Sequence, residues 1–321
     1  MRWAVGAAML AIASIAGAGA GAEAPPQLSD AHLRERYALP ASHFETIAGE
    51  PLHYVDEGRG PAILLLHGSY ANLRQWDGWA AKLKRHYRVI RFDQSPLGLS
   101  GPNPRNDYEL DQRIAVIDGL MDKLGVRRFV IVGTSSAGVQ TAAYAAARPE
   151  RVSGAILSNI AAGPLKIDYA AMPQALKDAV AQDAKHPGWH EPEFWRQIML
   201  ANMLDAKAVT PELVAQWTDL NNRAMRDPAT TAGAMKAATG SLAFSRTPQD
   251  LRAITVPTLL LWSSNDHEVP VEKDGHQALE MLGATDKKLE IVAQCGHMMP
   301  MDCPARSVEA AMPFLKRVAG K

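Results

Sequence analysis

Phe129-Val-Ile-Val-Gly-Thr-Ser-Ser-Ala-Gly138 is the stretch whose reading decides the fold. Four apolar residues run without interruption into a cluster of small ones, and an alanine-rich segment follows to Arg148. A short apolar run bounded by turn residues suits a strand buried on both faces of a parallel sheet. Strand, sharp turn and helix in succession push the side chain at the apex into solvent. They also set backbone N–H groups at a helix N-terminus, where negative charge is stabilised. A serine hydroxyl needs that exposure and a neighbouring base before it acts as a nucleophile. With Ser135 at the apex, the positions two residues to either side are Gly133 and Ala137, small enough for strand and helix to approach closely. Centring the turn on Ser136 puts Thr134 and Gly138 there instead, and β-branched Thr134 fits worse. A Gly/Ser-rich loop that binds phosphate or merely turns has the same look, so the reading depends on what lies downstream.

Outward from this stretch, strands alternate with helical patterns. Phe44–Val55 reads as a strand pair turning at Gly49-Glu50-Pro51, and Ala62–Leu66 and Tyr87–Phe92 read as buried strands. Apolar residues at Ile114, Ile117, Leu120, Met121 and Leu124 mark a helix that stops at Gly125. Ala155–Ser158, Thr258–Trp262 and Leu289–Val292 are further strands, and Val308–Val318 is a closing helix with Pro313 inside it. Ile167 to Ser245 contains helical stretches only: Met172–Ala184, Pro192–Leu204, Pro211–Met225 and Ala229–Leu242. The expected fold is α/β, with a mostly parallel central sheet, helices on both faces and a helical cap inserted in it. The divisions are 1–22 for a leader, 23–163 and 248–321 for the core, and 164–247 for the cap.

Two downstream segments supply partners for Ser135. Trp262-Ser-Ser-Asn-Asp-His-Glu-Val-Pro270 places Asp266 just past a strand, and Cys295-Gly-His-Met-Met-Pro300 places His297 in a loop after another. A histidine base needs an acceptor on its second nitrogen, to fix the tautomer and stabilise the imidazolium as it forms. Asp266 can be that acceptor. His67 reads as structural, and His267 adjoins the acid on its own loop, which disfavours it as the base. His186 and His190 are four apart, but Pro187-Gly188 between them spoils a helical metal pair. Trp189, Trp195, Trp217 and the cap methionines line a pocket or simply form a core; the sequence does not choose.

The order Ser135, Asp266, His297 resembles that of the α/β-hydrolase family. So do Leu64-Leu-Leu-His-Gly-Ser69, Arg91-Phe-Asp-Gln-Ser-Pro-Leu-Gly-Leu-Ser100, Val132–Gly138, Ile254–Ser263 and Gly296-His297. Within the family, the resemblance implies an oxyanion hole built from the backbone N–H groups of Ser69 and Ser136, with Tyr70 a near alternative. Haloalkane dehalogenases and epoxide hydrolases of this fold carry aspartate at the nucleophile, so Ser135 counts against both. The implied reaction is hydrolysis of a small or apolar carboxylic ester through an acyl-enzyme. Two alternatives remain: a C–C bond hydrolase of ring-cleavage products, and a hydrolase-like binding protein. The loop Ser69-Tyr-Ala-Asn-Leu-Arg74 lacks the Gly-Pro-Gly usual in the C–C hydrolases, and an intact Ser, His and Asp set disfavours a binding protein.

Composition bounds the rest. Of the 321 residues 47% are hydrophobic and 21% charged, as in a folded globular chain, and 34 basic residues balance 34 acidic ones. No strong field draws it to nucleic acid or an anionic membrane, so the expected partner is a small-molecule substrate. The reading needs no cofactor and no metal. Met1-Arg2, an apolar run from Trp3 to Ile15 and Ala20-Gly21-Ala22 before Glu23 read as a cleavable signal peptide and imply a periplasmic or secreted protein without stable membrane insertion. The two cysteines, Cys295 and Cys303, either bridge around His297 or remain buried thiols.

Overall fold

The protein is represented by a computed structural model that describes residues 27–164, 172–185, 188–226 and 241–320. The expected leader and most of the expected helix Ala229–Leu242 lie outside those residues. Eight strands form one sheet: β1 (Ser42–Ile47), β2 (Glu50–Gly58), β3 (Ala62–Leu66), β4 (Arg88–Phe92), β5 (Phe129–Thr134), β6 (Val152–Ser158), β7 (Thr258–Ser263) and β8 (Lys287–Val292). Their spatial order is β1-β2-β4-β3-β5-β6-β7-β8. β1 and β2, and β2 and β4, pair antiparallel; all other neighbours are parallel.

The α-helices among the described residues are α1 (Asp30–Tyr37), α2 (Asp77–Leu83), α3 (Leu110–Lys123), α4 (Ser136–Ala147), α5 (Gln174–Asp183), α6 (Pro192–Asn202), α7 (Pro211–Ala224), α8 (Ser241–Ala253), α9 (His276–Met281), α10 (Met299–Asp302) and α11 (Pro304–Val318). α3, α4, α8 and α9 pack on one face of the sheet, and α2 and α11 on the other. Every residue of β3, β5 and β6 is therefore buried, which is why Ala62–Leu66, Phe129–Val132 and Ala155–Leu157 read as unbroken apolar runs rather than alternating ones. α4 can be rich in alanine because it is wedged against the sheet, with nearly all its side chains covered.

Two local expectations shift. The first hairpin turns at Ala48-Gly49, both at positive φ, and Glu50 already pairs with Ile47 in the ladder. The closing helix starts earlier, with Pro304 in its first turn, where a missing N–H costs nothing. Pro313 stays inside it because its ring faces solvent and the carbonyl it leaves unpaired, that of Glu309, lies on an exposed residue.

The chain lays β3 and then β4 on one side, and returns to place β5 on the other side of β3. Binding sites in open α/β sheets form at such a reversal, beyond the carboxyl ends of the strands. Leu66 pairs with Gly133, Thr134 with Ser158 and Ser263 with Val292, so the loops after β3, β5, β7 and β8 all emerge on that edge. α5, α6 and α7, inserted between β6 and α8, bury a cluster of their own that includes Trp195, Trp217, Met199 and Met203, and it closes on Tyr70 and Met298 from the core loops.

Candidate active site

Ser135 sits between β5 and α4 at φ 54°, ψ −127°, a conformation that L-residues rarely adopt and that costs about 1–3 kcal/mol. Its N–H is tied to the carbonyl of Ser158 at 2.9 Å. Ser136 is already the first residue of α4, so the backbone gives the apex to Ser135. A Cβ at Gly133 would fall 2.3 Å from the Ala137 carbonyl oxygen and 2.3 Å from Thr141 Oγ1. One at Gly138 would fall 2.1 Å from Ile160 Cγ2, so the helix is held close on a second side. Ala137 is buried with its methyl accommodated.

The three side chains singled out from the sequence meet here. His297 Nε2 lies 3.1 Å from Ser135 Oγ, and its Nδ1 lies 2.7 Å from Asp266 Oδ2. The other oxygen of Asp266 accepts the N–H groups of Glu268 and Val269, each at 2.9 Å, which fixes the carboxylate's orientation. Burial by itself would push the imidazole pKa down. The Asp266 and Glu268 charges and the Asp266 hydrogen bond outweigh it and raise the pKa to about 9.

Around the nucleophile, Ser69 Oγ donates to Ser136 Oγ at 2.9 Å, which ties the loop after β3 to the start of α4. Gly68 lies against Ser135, with a Cβ built there 3.3 Å from that of the serine. The N–H of Gln94 donates to His67 Nε2 at 2.8 Å, so the ring carries its proton on Nδ1, from which it donates to the Gly68 carbonyl at 2.9 Å. Full burial pushes the His67 pKa down, and the neutral ring fastens this turn as the sequence suggests. His267 is exposed. His190 pairs with Asp183 at 2.7 Å and stacks on Phe194, a structural arrangement, while His186 lies outside the described residues. Among the described residues no group of three or more His, Cys, Asp or Glu side chains is placed to hold a metal. Trp195 and Trp217 are buried core of the inserted helices.

Several residues that fix the histidine loop carry no sequence signal. Asn159, at φ 49° after β6, donates to the His297 carbonyl and to Ser263 Oγ, each at 2.8 Å, and Ser263 Oγ donates to the Gly296 carbonyl at 2.6 Å. Asp302 accepts from Gly296 N–H at 2.6 Å and from Asp205 N–H at 2.8 Å. Cys295 and Cys303 form a disulfide, Cα to Cα 5.8 Å, which closes the loop around His297.

A second Ser-His-Asp set has equally good distances. Ser42 Oγ is 2.7 Å from His53 Nε2, and His53 Nδ1 is 2.7 Å from Asp93 Oδ2. Its surroundings differ: Ser42 opens an edge strand rather than a helix, and its Oγ accepts the N–H of Leu39. Asp93 also accepts the N–H groups of Leu73 and Leu99, so this set is a brace between loops.

A family model of the α/β-hydrolase fold matches residues 61–304. The chain belongs to the α/β-hydrolase fold family. This α/β hydrolase is 26% identical over 276 residues to the 2-hydroxy-6-oxo-6-phenylhexa-2,4-dienoate hydrolase of Comamonas testosteroni, covering 83% of this chain and 91% of the relative. Its fold is that of a meta-cleavage product hydrolase from Pseudomonas fluorescens, with TM-score 0.69 and 22% identity over 86% of this chain and 97% of the other. Naproxen esterase from Bacillus subtilis is similar to the same degree, with TM-score 0.68 and 20% identity over 90% and 100%.

Proposed function

We propose that this α/β hydrolase attacks a carbonyl carbon with Ser135 and passes through an acyl-enzyme. The supporting observation is the strained turn that holds Ser135 Oγ 3.1 Å from an imidazole whose second nitrogen is 2.7 Å from a buried carboxylate. Neutral His297 takes the Ser135 proton on Nε2 as Oγ bonds to the carbonyl carbon, and the carbonyl electron pair moves onto oxygen, where the N–H groups of Ser69 and Ser136 receive it. The tetrahedral species collapses by breaking the bond to the leaving group, which departs with that electron pair and the Nε2 proton. Water, deprotonated by His297, then releases the acid.

For the bond broken, kinship favours C–C cleavage in a 2-hydroxy-6-oxo-dienoate, the class named in the Comamonas relative, where the enol first ketonises with its proton delivered to C5, so that the departing pair lands on a carbon conjugated to the new C2 carbonyl. The loop after His67-Gly68 favours a second reading. It carries Tyr70-Ala71-Asn72 where C–C hydrolases usually have Gly-Pro-Gly, and the buried Tyr70 side chain packs 5.8 Å from Trp195, which suits the ester hydrolysis expected from the sequence. Export fits the N-terminal pattern and the Cys295–Cys303 disulfide, since such bonds persist in oxidising compartments.

Steady-state turnover of 2-hydroxy-6-oxo-6-phenylhexa-2,4-dienoate and of p-nitrophenyl butyrate, measured on the same preparation, separates the two. A higher kcat/KM for the dienoate supports C–C cleavage, and the reverse ranking supports the ester. Both activities vanish in Ser135→Ala; if either survives at the wild-type rate, the nucleophile is misassigned.

A further inference from the structure

Asp266 organises more than His297. Because the loop after β7 winds around its carboxylate, the side chain two residues on comes round to the far edge of the imidazole. Glu268 Oε2 lies 3.3 Å from His297 Nε2, with its side chain only 7% exposed. Ser135 Oγ lies 3.1 Å from the same nitrogen. Nε2 offers one proton or one lone pair, and two oxygens face it.

We propose that Glu268 is a positioning residue of the reaction, whose carboxylate clamps the His297 ring from the nucleophile's side and competes with Ser135 for Nε2. This rests on the reading of Ser135 and His297 as nucleophile and base. Among the described residues, the charged groups acting on the ring are Asp266 and Glu268. Burial and, more weakly, the Asp266 charge act on Asp274, which does not act on the ring, and Asp302 faces the Gly296 N–H rather than the ring. The elbow contributes Ser135, neutral Asn159 follows β6, and α6 offers the Asn202 carbonyl to Met298 N–H at 3.1 Å. With the imidazole pKa raised to about 9, the neutral form that can accept the Ser135 proton is the minor one at pH 7 and becomes the major one above pH 9.

The same carboxylate acts in the opposite sense once reaction starts. Attack moves one proton from Oγ to Nε2, and the resulting imidazolium lies between two acids. Glu268 therefore lowers the population of working base at neutral pH and stabilises the transition state that this base reaches. Removing its charge moves the acid limb of the pH–rate profile and the height of the plateau, which loss of packing alone does not do.

The test is kcat/KM for p-nitrophenyl butyrate from pH 5 to 10.5 with the full chain and its Glu268→Gln variant. The phosphonylation rate of Ser135 by a fluorophosphonate, followed over the same range, reads the acylation step without a leaving-group proton. An opposite charge at this distance shifts a pKa by about 1–3 units. In E268Q the acid limb moves down by about one pH unit or more and the alkaline plateau falls by about tenfold, so the two profiles converge toward neutral pH. If E268Q does not fold, Glu268→Asp, which withdraws the carboxylate from Nε2, gives a smaller displacement in the same direction. An acid-limb midpoint and an alkaline plateau both unchanged in a folded variant overturn the proposal. Unchanged labelling and turnover in Ser135→Ala overturn instead the reading on which it rests.

Discussion

Ser135→Gly and Ser135→Ala both remove the hydroxyl proposed as the nucleophile, yet they differ in stability, because only alanine keeps the Cβ that makes φ 54°, ψ −127° unfavourable. Each variant loses the same Ser135–His297 hydrogen bond, so that term cancels in the comparison. Alanine retains the backbone strain, about 1–3 kcal/mol. Glycine releases it but adds freedom to the unfolded chain, which costs about 0.4–1 kcal/mol. The methyl lost with alanine's Cβ packs beside Gly68 at a half-buried position and contributes little. The balance leaves S135G more stable than S135A by about 1 kcal/mol, or roughly 2 °C in Tm for a chain of this length. Urea unfolding of the two variants at one pH, monitored by tryptophan fluorescence, gives the difference directly. If S135A proves as stable as S135G or more so, the elbow stores no strain and the account of Ser135 as a held, exposed side chain is wrong.

Gly133→Ala forces a methyl to within 2.3 Å of the Ala137 carbonyl, which is backbone and cannot swing away. It is expected to cost about 1–3 kcal/mol in urea unfolding and to lower kcat/KM on order of a hundredfold by displacing Oγ from His297. Ser42→Ala removes the serine of the second Ser-His-Asp set. It leaves turnover within about twofold of wild type while lowering stability by about 1 kcal/mol; a loss as deep as that of Ser135→Ala would make the brace a working site.

The elbow was readable because its constraint is local: Gly133, Ser135 and Ala137 must be small, exposed and small within five consecutive residues. Strands β3 and β5 and the second half of β6 were readable because burial on both faces leaves an apolar run, whereas Ser153 and Gly154 hid the start of β6. The partners Asp266 and His297 followed from chain order plus their place just past strands. Glu268 did not stand out, because its position depends on how the turn winds around Asp266, a three-dimensional fact with no residue pattern of its own. Asn159, Ser263 and Asp302 were illegible for the same reason: each is a common polar residue whose partner lies far along the chain. The first hairpin was displaced by about a residue because Gly49 invites a turn on its C-terminal side, whereas the ladder needs Glu50 opposite Ile47. The cysteines left both outcomes open until the 5.8 Å separation of their Cα atoms was known.

One carboxylate joins the inserted helices to the histidine loop. Asp302 holds Asp205 N–H with one oxygen and Gly296 N–H with the other, and the Asn202 carbonyl accepts Met298 N–H beside them. The cap of this hydrolase is therefore not an interchangeable cassette. Inserted helices of other lengths would carry the Asp205 N–H away from Asp302, and the His297 loop would lose an anchor although Ser135, Asp266 and His297 are untouched. The inserted helices and the short segment Met299–Asp302 thus stand or fall mechanically as one piece.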